Sequence, residues 1–332
     1  MITRHSASDA AREEWGASPR PTFARVAAIV CCMLASSCVA PAAHVKDAPA
    51  TKSDGSEMIG VRGAWLRVLE TPAPEVQSGP PVVFVHGFGS RLESWKIVQP
   101  VVASSRRTLS FDQRGFGMSE RTDTNTYGPE EHAADLEALL NQRGIDRAVL
   151  VGHSYGAGVV LRFAMRHPDR VAGIVLVSPF ALDTQVATAF RWARVPGLGE
   201  YLFAASWRGF VGEKYLLAFH DPLRADQGKP RFVSAAALDE VESLQTREGS
   251  TYAQLATVRG MDYDVIEAQY RSIGAPVSIV WGVNDRITPF STSPKFIEKL
   301  PHAKLVRVEQ CGHMPSWEAP DAVVNAIMKV EP

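Results

Sequence analysis

Ala148-Val-Leu-Val-Gly152-His153-Ser154-Tyr155-Gly156-Ala-Gly158-Val-Val-Leu161 is the stretch on which the reading of this chain turns. Its first half is a short apolar, β-branched run, the pattern of a strand buried on both faces. Its second half carries a helical pattern through Met165, and His167-Pro168 supplies the stop. Between them stands G-x-S-x-G. A serine on a sharp strand-to-helix turn has strained dihedrals and close backbone neighbours, so glycines are wanted on both sides of it. Such a pattern arises by chance about 0.1 times in a chain of this length, and it is the strand before and the helix after that give it meaning.

Working outward, the same alternation of short strands and helices recurs, which is the signature of a mostly parallel sheet flanked by helices. Met58 to Leu69, broken at Gly63, reads as an opening antiparallel hairpin. Pro81 to His86 and Thr108 to Asp112 read as strands, Trp95 to Ala103 and Pro129 to Leu140 as helices, and Val171 to Val177 as the strand after the motif. The rhythm then breaks. No buried parallel strand is expected between Pro179 and Ile273, where the patterns are mostly helical. It resumes with strands at Pro276–Trp281 and Ala303–Val308, a helix near Lys295–Leu300, and a final helix from Pro320 to Val330. The expected fold is α/β: one doubly wound sheet built from residues 57–180 and 270–332, with a helical cap inserted at 181–269.

The 332 residues carry a net charge of −1 from 35 basic and 36 acidic side chains, so no summed positive field attracts nucleic acid, and none is expected as a partner. The N-terminus is different in kind. Arg20 and Arg25 precede the apolar run Val26–Ala35, too short for the ~20 residues of a membrane span but suited to an export signal. Leu34-Ala-Ser-Ser-Cys38 resembles a bacterial lipobox, with Ala35 where leucine is usual. Three outcomes stay open: lipidation of Cys38, plain cleavage, or an uncleaved anchor. Asp9, Glu13 and Glu14 are atypical of a signal's basic head, so the true start could also lie downstream. On this reading residues 1–40 export the protein to the periplasm, a membrane anchor or the medium, and residues 41–56 form a flexible tether. Three of the four cysteines fall in that segment, leaving Cys311 alone in the body, so no disulfide can brace the fold.

A hydroxyl is a poor nucleophile near neutral pH and needs a base, which in turn needs an orienting group. Trp281-Gly-Val-Asn-Asp285 puts an acid just past a strand end, and Cys311-Gly-His313-Met-Pro puts a histidine in the loop after the following strand. Ser154, Asp285 and His313 therefore read as nucleophile, orienter and base in the order Ser, Asp, His. Asp183 is a possible substitute orienter. Two N–H donors are required for an oxyanion, and Tyr155 and Phe88, the latter in His86-Gly-Phe-Gly89, are the candidates. His86 itself reads as structural.

With these segments in place the chain resembles the α/β-hydrolase superfamily, in particular its single-domain members with a helical cap, from about Glu57 to the C-terminus. Asp112-Gln-Arg114-Gly-Phe-Gly117-Met-Ser119 is similar to the family's D-x-R-G-x-G-x-S segment, and is expected to fix a loop by charge-assisted hydrogen bonds. The resemblance implies a serine esterase acting through an acyl-enzyme on a small-molecule acyl substrate, with no cofactor and no metal. Epoxide hydrolases and haloalkane dehalogenases carry aspartate where Ser154 stands. Carbon–carbon bond hydrolases of ring-cleavage diketones usually have asparagine where His153 stands. A non-catalytic ligand receptor on the same fold is the alternative from another class. The cap segment is rich in aromatics, and Trp192, Phe203 and Trp207 are the candidates for lining an apolar substrate pocket. The oligomeric state cannot be read from the sequence.

Overall fold

The computed structural model describes residues 54–72, 75, 79–122, 127–203, 216–222, 225–226, 229–230 and 235–330. The export segment, Cys38, most of the tether and Trp207 lie outside the described residues. All described residues fall in one unit of the chain, Val39–Pro332.

The opening hairpin joins β1 (Glu57–Val61) to β2 (Ala64–Thr71) through Arg62 and Gly63. Both turn residues have positive φ, 46° and 78°, the geometry that matches a two-residue loop to the twist of its strands. The sheet continues with β3 (Val82–Val85), β4 (Thr108–Phe111), β5 (Ala148–His153), β6 (Val171–Val177), β9 (Val277–Gly282) and β10 (Lys304–Val308). β7 (Ala225–Asp226) and β8 (Lys229–Pro230) form a separate antiparallel pair. The order across the eight-stranded sheet is β1-β2-β4-β3-β5-β6-β9-β10, parallel throughout except where β2 meets β1 and β4.

Every residue of β3, β5 and β6 is buried, which explains why their sequences are continuous apolar runs rather than alternations. On one face the sheet packs against α2 (Pro129–Gln142) and α3 (Tyr155–Arg166), through residues such as Leu136, Leu139, Val160 and Phe163. On the other it packs against α1 (Val98–Ala103) and the last helix through Val98, Val102, Val323 and Ile327. β10 closes the edge with exposed Lys304 and Arg307, charges that discourage further strand pairing.

Chain order reverses between β3 and β5: from β3 the sheet grows one way to β4, and from β5 the other way to β6. Loops at the carboxyl ends of these strands part there and leave a crevice. The two segments that end at it are His86-Gly87-Phe88 and Gly152-His153-Ser154.

Between β6 and β9 no residue of the described chain joins the main sheet. This stretch holds α4 (Thr188–Ala193), helical residues 198–203, the β7–β8 pair, α5 (Ala235–Gln245), α6 (Ser250–Arg259) and α7 (Tyr263–Ile266). It is tied to the loops after β3 and β4 by Gln245 Nε2 to Gly89 O at 3.0 Å, Arg247 Nη1 to Gly117 O at 3.0 Å, and an Arg91–Glu240 ion pair at 2.6 Å. After β9 come α8 (Ser293–Lys299), α9 (Pro315–Glu318) and α10 (Pro320–Lys329).

Candidate active site

Ser154 stands between β5 and α3 with φ 51° and ψ −120°, a conformation rarely adopted by a residue with a side chain. The surroundings hold it there. Its N–H donates to Val177 O at 2.9 Å, and its C=O accepts from Ala157 and Phe180, each at 3.0 Å. A Cβ on Gly156 would lie 2.4 Å from Val85 O, and one on Gly152 2.6 Å from Gly156 O. Both glycines are thus obligatory for the close approach of α3 to β3 and β5.

Asp285 and His313 come from the loops after β9 and β10. Nδ1 of His313 donates to Asp285 Oδ2 at 2.8 Å with both side chains buried. Thr288, which the sequence reading passed over, completes this pair: its Oγ1 lies 2.7 Å from the same carboxylate oxygen and 3.1 Å from the same ring nitrogen. The other carboxylate oxygen accepts the N–H groups of Ile287 and Thr288 at 2.9 and 2.8 Å. Burial would raise the pKa of Asp285, but the charge of His313 and these hydrogen bonds outweigh it and hold the carboxyl below its usual value. Asp183 is elsewhere, paired with Arg191 at 2.8 Å, and offers no second orienter.

His313 is itself anchored through its backbone. Its N–H donates to Ala218 O at 2.6 Å, and its C=O accepts from His153 Nε2 at 2.8 Å. Because a carbonyl only accepts, the proton of His153 sits on Nε2, and burial pushes that ring's pKa down to about 3. Ser154 and His313 line one cavity, with no hydrogen bond between Oγ and the imidazole in this state. Such contacts commonly tighten only with substrate in place.

Phe88 and Tyr155 line the same cavity, and among the described residues neither N–H has an acceptor. Two histidines brace the segments that carry them. His86 Nδ1 donates to Gly87 O at 2.8 Å while its Nε2 accepts the N–H of Gln113 at 3.0 Å, pinning the loop after β3 to the loop after β4. His86 is structural, as its sequence context implied. His132, whose pKa burial pushes down to about 3, donates from Nε2 to Arg114 O at 3.1 Å and accepts the Tyr155 hydroxyl at Nδ1, 2.7 Å away.

The cavity encloses about 500 Å³ and is mostly apolar, with Phe116, Phe180, Phe190, Leu244, Met261 and Trp317 among its walls. The candidate pocket aromatics need correction. Trp192 is 57% exposed and does not reach the cavity, because α4 turns Phe190 inward instead. Phe203 is 6% exposed and packs behind Phe190 with ring centroids 6.5 Å apart, so it supports the wall without lining it. Trp207 lies outside the described residues. A composition count could show that the segment is aromatic-rich, but not which aromatics face inward.

Asp112 and Arg114 fix the loop after β4 as expected, though not by pairing with each other. Asp112 accepts the N–H groups of Leu92 and Met118, each at 2.7 Å, and Arg114 pairs with Asp135 at 2.7 Å. Asp135, in the middle of α2, had no distinguishing signal in the sequence.

Residues 80–320 match the family model described as alpha/beta hydrolase fold, and the chain belongs to that family. Among individual proteins it is 30% identical over 267 residues to the dihydrolipoyllysine-residue acetyltransferase component of the acetoin cleaving system of Pseudomonas putida. That match covers 79% of this chain and only 65% of the longer relative. It is 27% identical over 257 residues to 2-hydroxymuconate semialdehyde hydrolase of Pseudomonas sp. strain CF600, covering 74% and 84% of the two chains. In solved structures the same fold is found in the epoxide hydrolase CorEH, with a TM-score of 0.69 at 19% identity, covering 83% of this chain and 97% of that one. The family is thus settled while its members differ in reaction, and the side chains of the site have to decide between them.

Proposed function

We propose that this chain is a serine hydrolase that cleaves a carboxylic ester, or a related acyl bond, of a small and largely apolar substrate. The observation that carries this reading is the strained Ser154, sharing a cavity with a buried His313 whose Nδ1 proton is held by Asp285. With Nδ1 committed, Nε2 is the nitrogen left to take the Ser154 proton. Oγ attacks the carbonyl carbon, and the Phe88 and Tyr155 N–H groups receive the oxyanion. The alcohol leaves with the proton returned by His313, and water, deprotonated by the same imidazole, releases the acid. No cofactor takes part in these steps. We read the segment between β6 and β9 as a lid, since it supplies Phe190, Leu244 and Met261 to the cavity and would shield the reacting carbonyl from bulk solvent while admitting the hydrolytic water.

Aspartate at the elbow would give an alkyl-ester intermediate, and Ser154 argues against epoxide or haloalkane chemistry. Similarity to 2-hydroxymuconate semialdehyde hydrolase supports carbon–carbon hydrolysis as a second reading. Against it stands His153, whose Nε2 is already used by His313 O. The test is labelling with a fluorophosphonate, followed by turnover of esters, lactones and vinylogous diketones. A tag on the peptide carrying Ser154, together with ester hydrolysis lost in Ser154→Ala, is the expected result. Folded protein that takes no label and cleaves no ester overturns the proposal.

A further inference from the structure

One wall of the cavity carries polar groups that the acyl-transfer steps leave unused. Gln254, on α6, is 1% exposed and lines the cavity, yet neither its Oε1 nor its Nε2 has a partner among the described residues. A buried amide left unpaired is destabilising, and a ligand that hydrogen-bonds it recovers that cost. Four residues earlier, and so on the same face of α6, Ser250 Oγ accepts from Arg121 Nε at 3.0 Å.

Arg121 also lines the cavity, is 5% exposed and has no acidic partner within ion-pair distance among the described residues. Its Nη1 donates to Gly117 O at 2.9 Å, and Arg247 Nη1 donates to that same carbonyl at 3.0 Å. Two guanidinium groups therefore converge on one oxygen that also borders the cavity. The acid nearest in influence, Asp112, is already engaged by the Leu92 and Met118 N–H groups and by Arg67. Burial, followed by the charge of Arg247, pushes the pKa of Arg121 down to about 9. An anion entering this corner of the cavity would meet the charge of Arg121, whose N–H groups otherwise donate only to backbone carbonyls and Ser250, and an amide free to donate, with Arg247 outside the lining adding its charge. The carboxylates that line the same cavity, Glu93 and Glu240, are paired with Arg91.

We propose that Gln254, with Arg121 and Arg247 behind it, forms a subsite for a carboxylate on the substrate, remote from the bond that Ser154 attacks. The preferred substrate class is then an acyl ester with an apolar middle and an anionic end, such as a hemiester of a dicarboxylic acid. This rests on the acyl-transfer reading above. It narrows "largely apolar" to the central part of the molecule, where the aromatic walls lie.

The experiment compares mono-4-nitrophenyl glutarate and adipate with 4-nitrophenyl alkanoates of equal length and with the methyl-capped diesters. Wild type should prefer the hemiesters, and in Gln254→Leu the ratio of kcat/KM for hemiester over alkanoate should fall about tenfold. Because leucine removes an unpaired buried amide, the same variant should melt no lower than wild type in the absence of ligand. A ratio unmoved in Gln254→Leu overturns the proposal, as do capped diesters turned over as well as the hemiesters. A parallel measurement in Ser154→Ala uses glutarate and adipate alone as probes: both should raise the melting temperature, and Gln254→Leu should remove the effect. That readout needs no chemistry at Ser154. A failure of acyl transfer appears as absent labelling and absent ester turnover, whereas a failure of the subsite appears as absent dicarboxylate binding.

Discussion

Asp285 holds His313 through one of its two oxygens, 2.8 Å from Nδ1, while the other accepts two backbone N–H groups of its own loop. The carboxylate is thereby fixed as an acceptor before the imidazole meets it, and Thr288 is within reach of both partners. Asp285→Asn should lower kcat by about 10³-fold or more, since the amide can present its N–H₂ to Nδ1 and disfavour the required tautomer. Thr288 gives the ring a remaining contact and should keep the loss short of that in His313→Ala. The folded-state pKa of Asp285 lies below its ordinary value of 3.8, so its stabilisation is complete above that pH and is lost as pH falls through the folded value. Melting temperatures measured against pH should therefore show wild type above Asp285→Asn near neutrality, converging well below pH 3.8. Parallel curves would contradict this.

The backbone at Ser154 predicts that activity and stability part company. A φ of 51° with ψ −120° costs any residue with a Cβ roughly 1–3 kcal/mol, and glycine avoids most of it. Ser154→Gly should consequently be inactive yet more stable than Ser154→Ala by about 1 kcal/mol, after allowing for the greater chain entropy glycine loses on folding. Urea denaturation of the two inactive variants measures the difference directly, with no contribution from turnover.

Gly156 supports the strain from the other side. A methyl group there would meet Val85 O at 2.4 Å and His86 O at 2.6 Å, both backbone atoms of the segment leading to Phe88. Gly156→Ala must push α3 away from β3, displacing Tyr155 N–H and Phe88 N–H relative to each other. We expect a loss of at least about 2 kcal/mol in stability. Residual protein should lose kcat with KM nearly constant, because the damage falls on groups that bind the oxyanion rather than the ground state. The same substitution at Gly63, in the hairpin turn, meets nothing within 4 Å, and although its φ of +78° adds local strain it should leave kcat alone.

How much of this was legible in the sequence depended on whether the signal was local. The elbow announced itself because strand, glycines and helix are contiguous, and the hairpin at Gly63 did so for the same reason. The pairing of Asp285 with His313 followed from chain order at the sheet edge, which is a topological regularity. Thr288 and Gln254 escaped notice because a threonine in a loop and a glutamine in a helix are ordinary residues in a sequence. Only burial and the atoms around them distinguish these two. Trp192 was misplaced for a related reason: α4 is only six residues long, and its weak amphipathic pattern does not reveal which aromatic turns inward. The reaction within the family turns on single side chains such as Ser154 and His153, whereas the fold is written over the whole chain.

Arg114 and Asp135 show how the loop beside the site is kept in place. The pair is bidentate, 2.8 Å from Nε and 2.7 Å from Nη2, with both side chains almost wholly buried, and Arg114 also reaches the carbonyl of Arg62 at 3.1 Å. Arg62 joins Asp135 from the hairpin turn at 3.0 Å, so β1, α2 and the loop after β4 meet on one carboxylate. Removing only the acid leaves a guanidinium buried without its charge partner, and Asp135→Ala should cost about 3–5 kcal/mol. Asp135→Leu combined with Arg114→Met removes both charges and restores apolar volume, and it should cost distinctly less than the sum of the two single changes. His132 Nε2 donates to Arg114 O, so the single variants should also loosen the ring that receives the Tyr155 hydroxyl. A double-mutant cycle run on both unfolding free energy and kcat would separate the two effects. Coupling in stability alone would mean that the pair holds the loop without reaching the oxyanion donors, and coupling in both is the outcome the hydrogen-bond chain predicts.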